Sequence, residues 1–388
     1  MSGLDNKKIL FCVSDGKAAH QLPELIAALL TENVQVSVLM APAAGEWISR
    51  VLLTRLGATV LTDVDPMADG SWDGQIVLVD EQLSESGKTW LGEWLRALYH
   101  RQPRGSGTLF LASDAALAAG EWPELTAVIG QPDRVIAPQV RNPLLASVDP
   151  AALIAALHRI IDAPLLAGRR VLVTAGPTYE DIDPVRYIGN RSSGKMGYAV
   201  AGAAWQAGAE VLLISGPVGL PSPHGVTVTK VRSALEMQTA VDQSIADQDI
   251  YISSAAVADY RPAEPGKQKM KKGKHTANLS LVANPDLLAR VASRSSAPFC
   301  VGFAAETEQV EAYARGKLVN KKLQMIAANR VGTAEGGFES DQNRLHLFWP
   351  GGERQLPLSS KRQQAQQLIE VIAERFNHWN NETEINPK

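Results

Sequence analysis

Hydrophobic positions fall in short β-branched runs separated by Ala- and Leu-rich amphipathic stretches, and that alternation is laid down twice. In the first half Lys7 to Val13 reads as a buried strand, Ser14 to Lys17 as a turn, His20 to Leu30 as a helix and Val34 to Leu39 as the next strand. In the second, Val171 to Val173 and Val211 to Ile214 are strand-like and flank Met196 to Ala207, which is rich in Ala and free of Pro. Each set is one βαβ unit, so an α/β chain is predicted. The alternation continues with strands at Val226 to Val231, Asp249 to Ser253, Asn278 to Val282, Phe299 to Ala304 and Met325 to Asn329. Helices are predicted at Ser233 to Ser244, Pro285 to Ser293 and Val310 to Leu318. Gly351-Gly352, between Arg344 to Trp349 and Glu353 to Pro357, predicts a β-hairpin. A helix from Ser360 to Trp379 follows, and the chain is expected to fray from Asn380.

Two stretches break the alternation. Ala175 to Gly194, between strand and helix, is far longer than the roughly two to six residues usual there, and it gathers Thr, Asp, Arg, Asn, Ser and Gly. Its end, Asn190-Arg191-Ser192-Ser193-Gly194-Lys195, brings backbone N–H groups and hydroxyls to a helix start, which suits a phosphate. Arg261 to His275 carries Pro, Gly and the lysines Lys267, Lys269, Lys271, Lys272 and Lys274. It reads either as a solvated surface loop or as a lid whose ammonium groups close over a triphosphate.

With 388 residues, 45% hydrophobic and 20% charged, the chain has room for two cores. The division predicted is 1–147, then a connecting helix and linker over 148–170, then 171–388. The connecting helix has Asp149 at its N-cap, Pro150 at its first position, and apolar Leu153, Ala156, Leu157, Ile160 and Ile161. A net charge of −3 argues against a nucleic-acid partner. No run of about eighteen apolar residues and no charged-then-apolar leader is present, so neither a membrane span nor a secretory signal is expected, and the cytoplasm is the expected location. Cys12 and Cys300 lie in apolar runs and read as buried hydrophobes, not nucleophiles.

Gly176-Pro177-Thr178, Glu180, Ile182-Asp183-Pro184-Val185-Arg186, Ile188, Asn190, Ser192-Ser193-Gly194 and Met196-Gly197 fit the signature GPT-x-E-x-ID-PVR-x-I-x-N-x-SSG-x-MG. By these residues the second half resembles the phosphopantothenate–cysteine ligase family, the second enzymatic half of the bifunctional coenzyme A biosynthesis proteins. The resemblance runs on through Ala255 to Tyr260, Lys269-Met270-Lys271-Lys272, Asn284-Pro285-Asp286, Gly302 to Thr307 and Lys317 with Lys321, and so covers about Arg169 to Phe376. It implies a Rossmann-like sheet with a β-hairpin extension.

It also implies a CTP-dependent ligase that joins 4′-phosphopantothenate to L-cysteine through an acyl-cytidylate, with Mg²⁺ on the triphosphate. Such chemistry brings an anionic carboxylate to an anionic phosphate, so fixed cations must offset the repulsion. Lys269, Lys271, Lys272, Lys317 and Lys321 are the candidates. Carried over from the family, Asn190 holds the acyl oxygen of the cytidylate, Arg186 is a second intermediate-binding residue and Lys269 serves the activation step. Asp259, Pro285, Asp286, Leu287, Leu288, Phe303, Lys317 and Lys321 line the nucleotide site by the same carry-over, with Gly176, Ser192, Ser193, Gly194, Ala255 and Ala256 as further nucleotide-side candidates. No metal ligand is singled out. The partners implied are small-molecule substrates and a second copy of the chain, as a homodimer through the ligase domain. A larger homo-oligomer through the N-terminal domain is left open.

The first half resembles only in part the flavin-dependent decarboxylase half of the same proteins. Asp15-Gly16-Lys17-Ala18-Ala19-His20-Gln21 keeps one Gly and the Ala-Ala of that family's Gly-Gly-Ile-Ala-Ala-Tyr-Lys turn, which implies a flavodoxin-like or flavoprotein-like parallel sheet. The departures fall on the chemistry. Asp15 brings a carboxylate toward a flavin phosphate, where like charges are unfavourable. Asp73 to Asp80 lacks the family's His, Pro138-Gln139-Val140-Arg141 has Arg141 in the place of Asn, and no Cys lies between Cys12 and Cys300. His100 ends an amphipathic helical stretch and reads as a dipole-facing residue. This half is therefore expected to bind no FMN, to lack decarboxylase activity and to serve assembly.

Ala283 stands where the ligase family usually has Lys, and Arg330 where it usually has Asp. These leave open a paralogue that activates another phosphorylated or phosphonate acid, or takes another amino acid. A nicotinamide-dependent oxidoreductase, which βαβ topology alone would allow, lacks a G-x-G-x-x-G after Val173; Pro177 and the long insertion do not form that turn. A non-catalytic partner would fit the first half but not the ligase residues.

Overall fold

The apolar runs of the first half pair side by side. β1 (Lys8–Val13) lies parallel between β2 (Gln35–Met40) and β4 (Gly74–Val79). β3 (Thr59–Leu61), β5 (Gly107–Ala112) and β6 (Val135–Ile136) complete an all-parallel sheet in the order β3-β2-β1-β4-β5-β6. This is a doubly wound order that reverses direction between β1 and β4. The computed structural model describes residues 4–14, 16–61, 72–79, 86, 89–91, 93–94, 107–112, 135–136, 149–161, 164–271, 278–306, 308–330 and 341–385. Asp15, His100 and the stretch Pro138 to Arg141 lie outside them.

The chain divides into two compact units, Met1–Pro164 and Leu165–Lys388. Between the strands of the first run α1 (Leu22–Leu30) and α2 (Arg50–Leu56). The helix expected to connect the halves, α3 (Pro150–Ile161), is capped as its sequence implies, with Asp149 Oδ1 accepting the Ala151 N–H at 3.0 Å. It packs on α1 and β5, so its buried face, including Leu153, Ala156 and Leu157, belongs to the core of the first unit.

In the second unit eight strands line up as β11-β10-β7-β12-β15-β16-β18-β19. β7 (Arg170–Ala175) is central, with β10 (Glu210–Ser215) and β11 (Thr227–Lys230) to one side and β12 (Ile250–Ser253), β15 (Phe299–Glu306) and β16 (Met325–Arg330) to the other, all parallel. The predicted hairpin, β18 (His346–Trp349) with β19 (Gly352–Gln355), adds to β16 antiparallel. Val171 to Val173 are apolar without alternation because helices cover both faces of the sheet. Leu172, Ile214, Tyr251, Cys300 and Ile326 join one buried cluster with residues of α5 (Ala234–Ser244), α6 (Leu287–Ala292) and α7 (Val310–Asn320).

α4 (Lys195–Gln206) packs on β7, β10 and α8 (Lys361–Ile385). Its approach to the sheet depends on Gly197: a Cβ there would stand 2.5 Å from both Ala175 Cβ and Ser254 Oγ.

Three expectations are corrected. The loop after β7 is not wholly irregular, because β8 (Tyr179–Asp181) and β9 (Tyr187–Gly189) pair antiparallel and stack Tyr179 on Tyr187 with ring centroids 3.9 Å apart. The strand read at Asn278 to Val282 is shorter and later: β14 (Leu281–Ala283) pairs with β13 (Tyr260–Pro262) in a two-stranded ribbon apart from the main sheet. The last helix does not fray at Asn380 but runs to Ile385, since no Gly or Pro interrupts it before Pro387. A further short pair, β17 (Gln342–Asn343) with β20 (Ser359–Ser360), leads into α8. Among the described residues no helix is long and apolar enough to cross a membrane.

Candidate active site

From β7 the chain passes through α4 to β10 on one side, whereas β12 docks on the other side of β7. Strand order thus reverses between β7 and β12, and the loops leaving their carboxyl ends diverge, which opens a crevice. A cavity of about 700 Å³ lies there. The loops that frame it are tied together by their own backbones. Pro177 bridges to Ala256, the Ala256 N–H donates to the Gly176 carbonyl at 2.9 Å, and the Ala258 N–H donates to Thr178 Oγ1 at 3.0 Å. Buried Glu180 anchors the far side by accepting the Ala234 N–H at 2.9 Å.

One wall holds Asn190, Ser192, Ser193, Gly194, Ala255, Ala256 and Asp259. The Asn190 amide donates from Nδ2 to the Val257 carbonyl at 2.9 Å, which orients it across the gap between the two loops. Gly194 starts α4 with φ +73° and no side-chain cap, and an added Cβ would stand 2.8 Å from Val218 Cγ1, so Gly is required.

The other wall holds Pro285, Asp286, Leu287, Leu288 and Phe303, with Lys317 and Lys321 from α7 and its end. The two lysines share one helix face, as their i, i+4 spacing implies. Each has a carboxylate partner: Lys317 Nζ stands 2.7 Å from Glu306 Oε1, and Lys321 Nζ 2.7 Å from Asp286 Oδ2. Asp286 also caps α6 by accepting the Ala289 N–H at 3.0 Å. Burial works to raise its carboxyl, but the Ala289 amide and the Lys321 ammonium together hold it below the usual range.

Three candidates stand off the wall. Gly176, with φ +77°, shapes the turn after β7. Arg186 lies against Asp183 and Met270: its Nη2 donates to Asp183 Oδ2 at 2.5 Å and to the Met270 carbonyl at 2.7 Å, and its Nε donates to Asp183 Oδ2 at 3.0 Å. Asp183 is buried and also accepts the Met270 N–H at 3.0 Å. That amide, set against burial and joined by the Arg186 guanidinium, holds the Asp183 carboxyl well below the usual carboxylate range. The Gly266 N–H adds a bond to the Ile182 carbonyl at 2.8 Å, so the lysine-bearing segment is tied to the signature loop. Lys269 lies between these ties and is exposed. Lys272 and Lys274 lie outside the described residues.

Asn329, Asn343 and Lys361 also line the cavity. Sequence reading missed them because they come from the ends of β16, β17 and the start of α8, without a shared motif. Among the described residues no group of three His, Cys, Asp or Glu is placed to hold a metal ion. The carboxylates on the wall among those residues are Asp259 and Asp286. That sparse set fits a magnesium ion that keeps its waters and is carried on substrate phosphates. Cys12 and Cys300 are buried, which pushes the Cys12 thiol up and that of Cys300 up to about 12. Neither is a nucleophile near neutral pH.

Residues 166–376 match the family described as DNA/pantothenate metabolism flavoprotein C-terminal domain. A protein of Vibrio cholerae named coenzyme A biosynthesis bifunctional protein CoaBC is 40% identical over 409 aligned residues, covering 97% of this chain and 100% of that one. The protein of the same name from Escherichia coli strain K12 is 36% identical, covering 97% of this chain and 99% of that one. Among solved structures, the C-terminal domain of a CoaBC protein is 39% identical, with a TM-score of 0.47, and spans 56% of this chain and 100% of that one.

Proposed function

Because the chain belongs to the family of bifunctional coenzyme A biosynthesis proteins, we propose that its second unit is a CTP-dependent ligase that joins 4′-phosphopantothenate to L-cysteine. The observation that carries this reading is the cavity at the β7/β12 switch point, which gathers Asn190 and the start of α4 on one wall and Lys317 with Lys321 on the other.

In the first step a carboxylate oxygen of the acid attacks the α-phosphorus of CTP. The bond to the bridging oxygen breaks and pyrophosphate leaves with its electron pair, giving an acyl-cytidylate. The lysines lower the repulsion between the two anions and stabilise charge that develops on the phosphoryl oxygens. A magnesium ion, when bound, neutralises charge on the polyphosphate, with Asp259 and Asp286 as the side chains that would hold it or its waters. In the second step the cysteine amine attacks the acyl carbon, the bond to CMP breaks, and the nitrogen loses a proton. Asn190 Nδ2 carries two hydrogens: one is given to Val257, and the second is suited to the acyl oxygen.

Lys269 serves the first step when its segment closes, and Arg186 sets the segment through Met270. The two small hairpins expose Val185, Tyr187, Tyr260, Leu281 and Val282, a concentration of apolar side chains that supports a homodimer through this unit. The first unit keeps a parallel doubly wound sheet without the side chains decarboxylation needs, and is assigned no flavin chemistry. The cytoplasm is the proposed location.

The test is pyrophosphate release by the purified full chain. Release from CTP only when 4′-phosphopantothenate is present is the expected result; equal turnover with ATP, or CTP hydrolysis indifferent to any acid, would overturn the reading. A flavin absorbance band in the same preparation would overturn the assignment of the first unit. Ala283, beside Asn284 at the cavity, favours a second reading in which the same activation acts on another acid. Trapping the acyl-CMP and weighing it by mass spectrometry separates the two.

A further inference from the structure

Asn343 ends the two-residue strand β17, lines the cavity and is only 7% exposed. Asparagine suits a strand poorly and is costly to bury unless both ends of its amide are used. Here one end is used. Oδ1 accepts the Arg344 N–H at 2.9 Å, and an amide turned over would set its own NH₂ against that N–H, so the orientation is fixed. Nδ2 therefore faces away from Arg344, and among the described residues it has no protein partner. It is not sealed in the core either, so its two hydrogens open on the cavity that the residue lines.

The backbone that carries this amide is tied down. Asn343 pairs with Ser359 across β17 and β20. Fully buried Gln364 of α8 fastens the segments around both strands: its Nε2 donates to Ser359 Oγ at 2.9 Å and to the Pro357 carbonyl, and its Oε1 accepts the Leu345 N–H at 3.1 Å. Two residues before Asn343, Asp341 Oδ1 stands 2.6 Å from Lys195 Nζ, which joins the strand to the first residue of α4. The other amides on the wall differ. Asn284 has both ends engaged, by the Ala258 carbonyl at 2.8 Å and by Arg261 Nη1 at 3.1 Å, and Asn190 gives one hydrogen to Val257. Asn329 has no side-chain partner among the described residues, so nothing sets which end it presents. Asn343 combines a locked orientation with two open donors.

We propose that Asn343 is a substrate-recognition residue of this cavity and donates from Nδ2 to an acceptor on the bound ligand, a phosphoryl or carbonyl oxygen. Being neutral, it selects by the direction of a hydrogen bond, whereas the lysines of the cavity select by charge. Only the identity of the oxygen's owner, the nucleotide or the acid, rests on the ligase reading above.

The experiment is calorimetric titration of the full chain with CTP, with 4′-phosphopantothenate and with inorganic tripolyphosphate, one at a time. Asn343→Asp keeps Oδ1 for the Arg344 N–H but presents a carboxylate oxygen where the donors were. Asn343→Ala removes the donors and adds no charge. Affinity for at least one of the three ligands is expected to fall roughly tenfold in Asn343→Ala, the scale of one hydrogen bond to a charged group, and further in Asn343→Asp. A residue that served only to hold Arg344 would leave Asn343→Asp with wild-type affinity for all three. That result would overturn the proposal, as would unchanged affinities in a folded Asn343→Ala or a wild-type chain that binds none of the three. Should Asn343→Ala fail to fold, Asn343→Asp decides alone. A loss for CTP that tripolyphosphate shares assigns the oxygen to the polyphosphate, a loss for CTP without it to the cytosine carbonyl, and a loss for 4′-phosphopantothenate but not CTP to the acid. Failure of the wild type to release pyrophosphate from CTP would sink the ligase reading and leave the titrations standing.

Discussion

Arg186 turns two of its nitrogens onto a single oxygen of Asp183, at 2.5 and 3.0 Å, and the same oxygen takes the Met270 N–H at 3.0 Å. One buried carboxylate oxygen thus couples the signature loop to the lysine-bearing segment. Asp183→Asn is isosteric but replaces the charge, and an amide turned to satisfy one of these donors opposes the others. Pyrophosphate release is expected to fall roughly tenfold to a hundredfold, since small misplacement of a positioned group costs about that much. Protease cleavage near Lys267 to Lys271 is expected to speed up in parallel. Wild-type release in Asp183→Asn would show that the tie is not used.

The same carboxylate makes stability depend on pH. Its folded value lies well below the unfolded one, so its contribution is fully present above the ordinary carboxylate range and is lost as pH falls through and below about 4. The urea midpoint of the wild type is expected to drop over that acid window more steeply than that of Asp183→Asn. Parallel curves for the two proteins would count against the assignment.

Asn190 and Lys269 are expected to fail at different steps. Asn190→Asp loses both N–H donors and sets a carboxylate against the Val257 carbonyl, so acid should still be activated but transferred slowly. Acyl-CMP should accumulate and be visible by mass spectrometry. Lys269→Gln should release no pyrophosphate and accumulate nothing. Identical product profiles for the two variants would refute the division of labour.

Gly197→Ala tests how the helix start is held. The added methyl would meet Ala175 and Ser254 at 2.5 Å, so α4 must move away from β7. A loss of ~1–3 kcal/mol in urea unfolding is expected, as for other overpacked core sites. Because α4 begins at the cavity wall, activity should fall as well. A variant as stable as wild type would mean that the helix shifts freely.

The βαβ unit from Val171 to Ser215 was legible because its strands are buried on both faces and its helix has an Ala-rich run with no Pro. The β8/β9 hairpin was not. Its strands have three residues each, and Pro184 between them reads as loop. The motif residues Asn190, Asp259 and Lys317 stand on one cavity, whereas Arg186 and Lys269 lie together beside Asp183, a grouping that sequence spacing does not reveal. Lys361 was invisible for another reason. In Ser-Ser-Lys-Arg-Gln-Gln it looks like any charge on a solvated helix, and only the packing of α8 on α4 brings it to the wall.

That packing also bears on the order in which the molecule is made. The described strands of the first unit, and α3 that packs on them, have all been synthesised by Ile161, so this unit can fold on the ribosome before any cavity residue exists. The six parallel strands of the second are complete in sequence at Arg330, yet the cavity lacks Asn343 and Lys361 until later codons are read. A message broken between those points encodes every parallel strand and leaves the cavity with one wall unfinished. The described cavity is therefore complete only once translation has passed the start of the last helix.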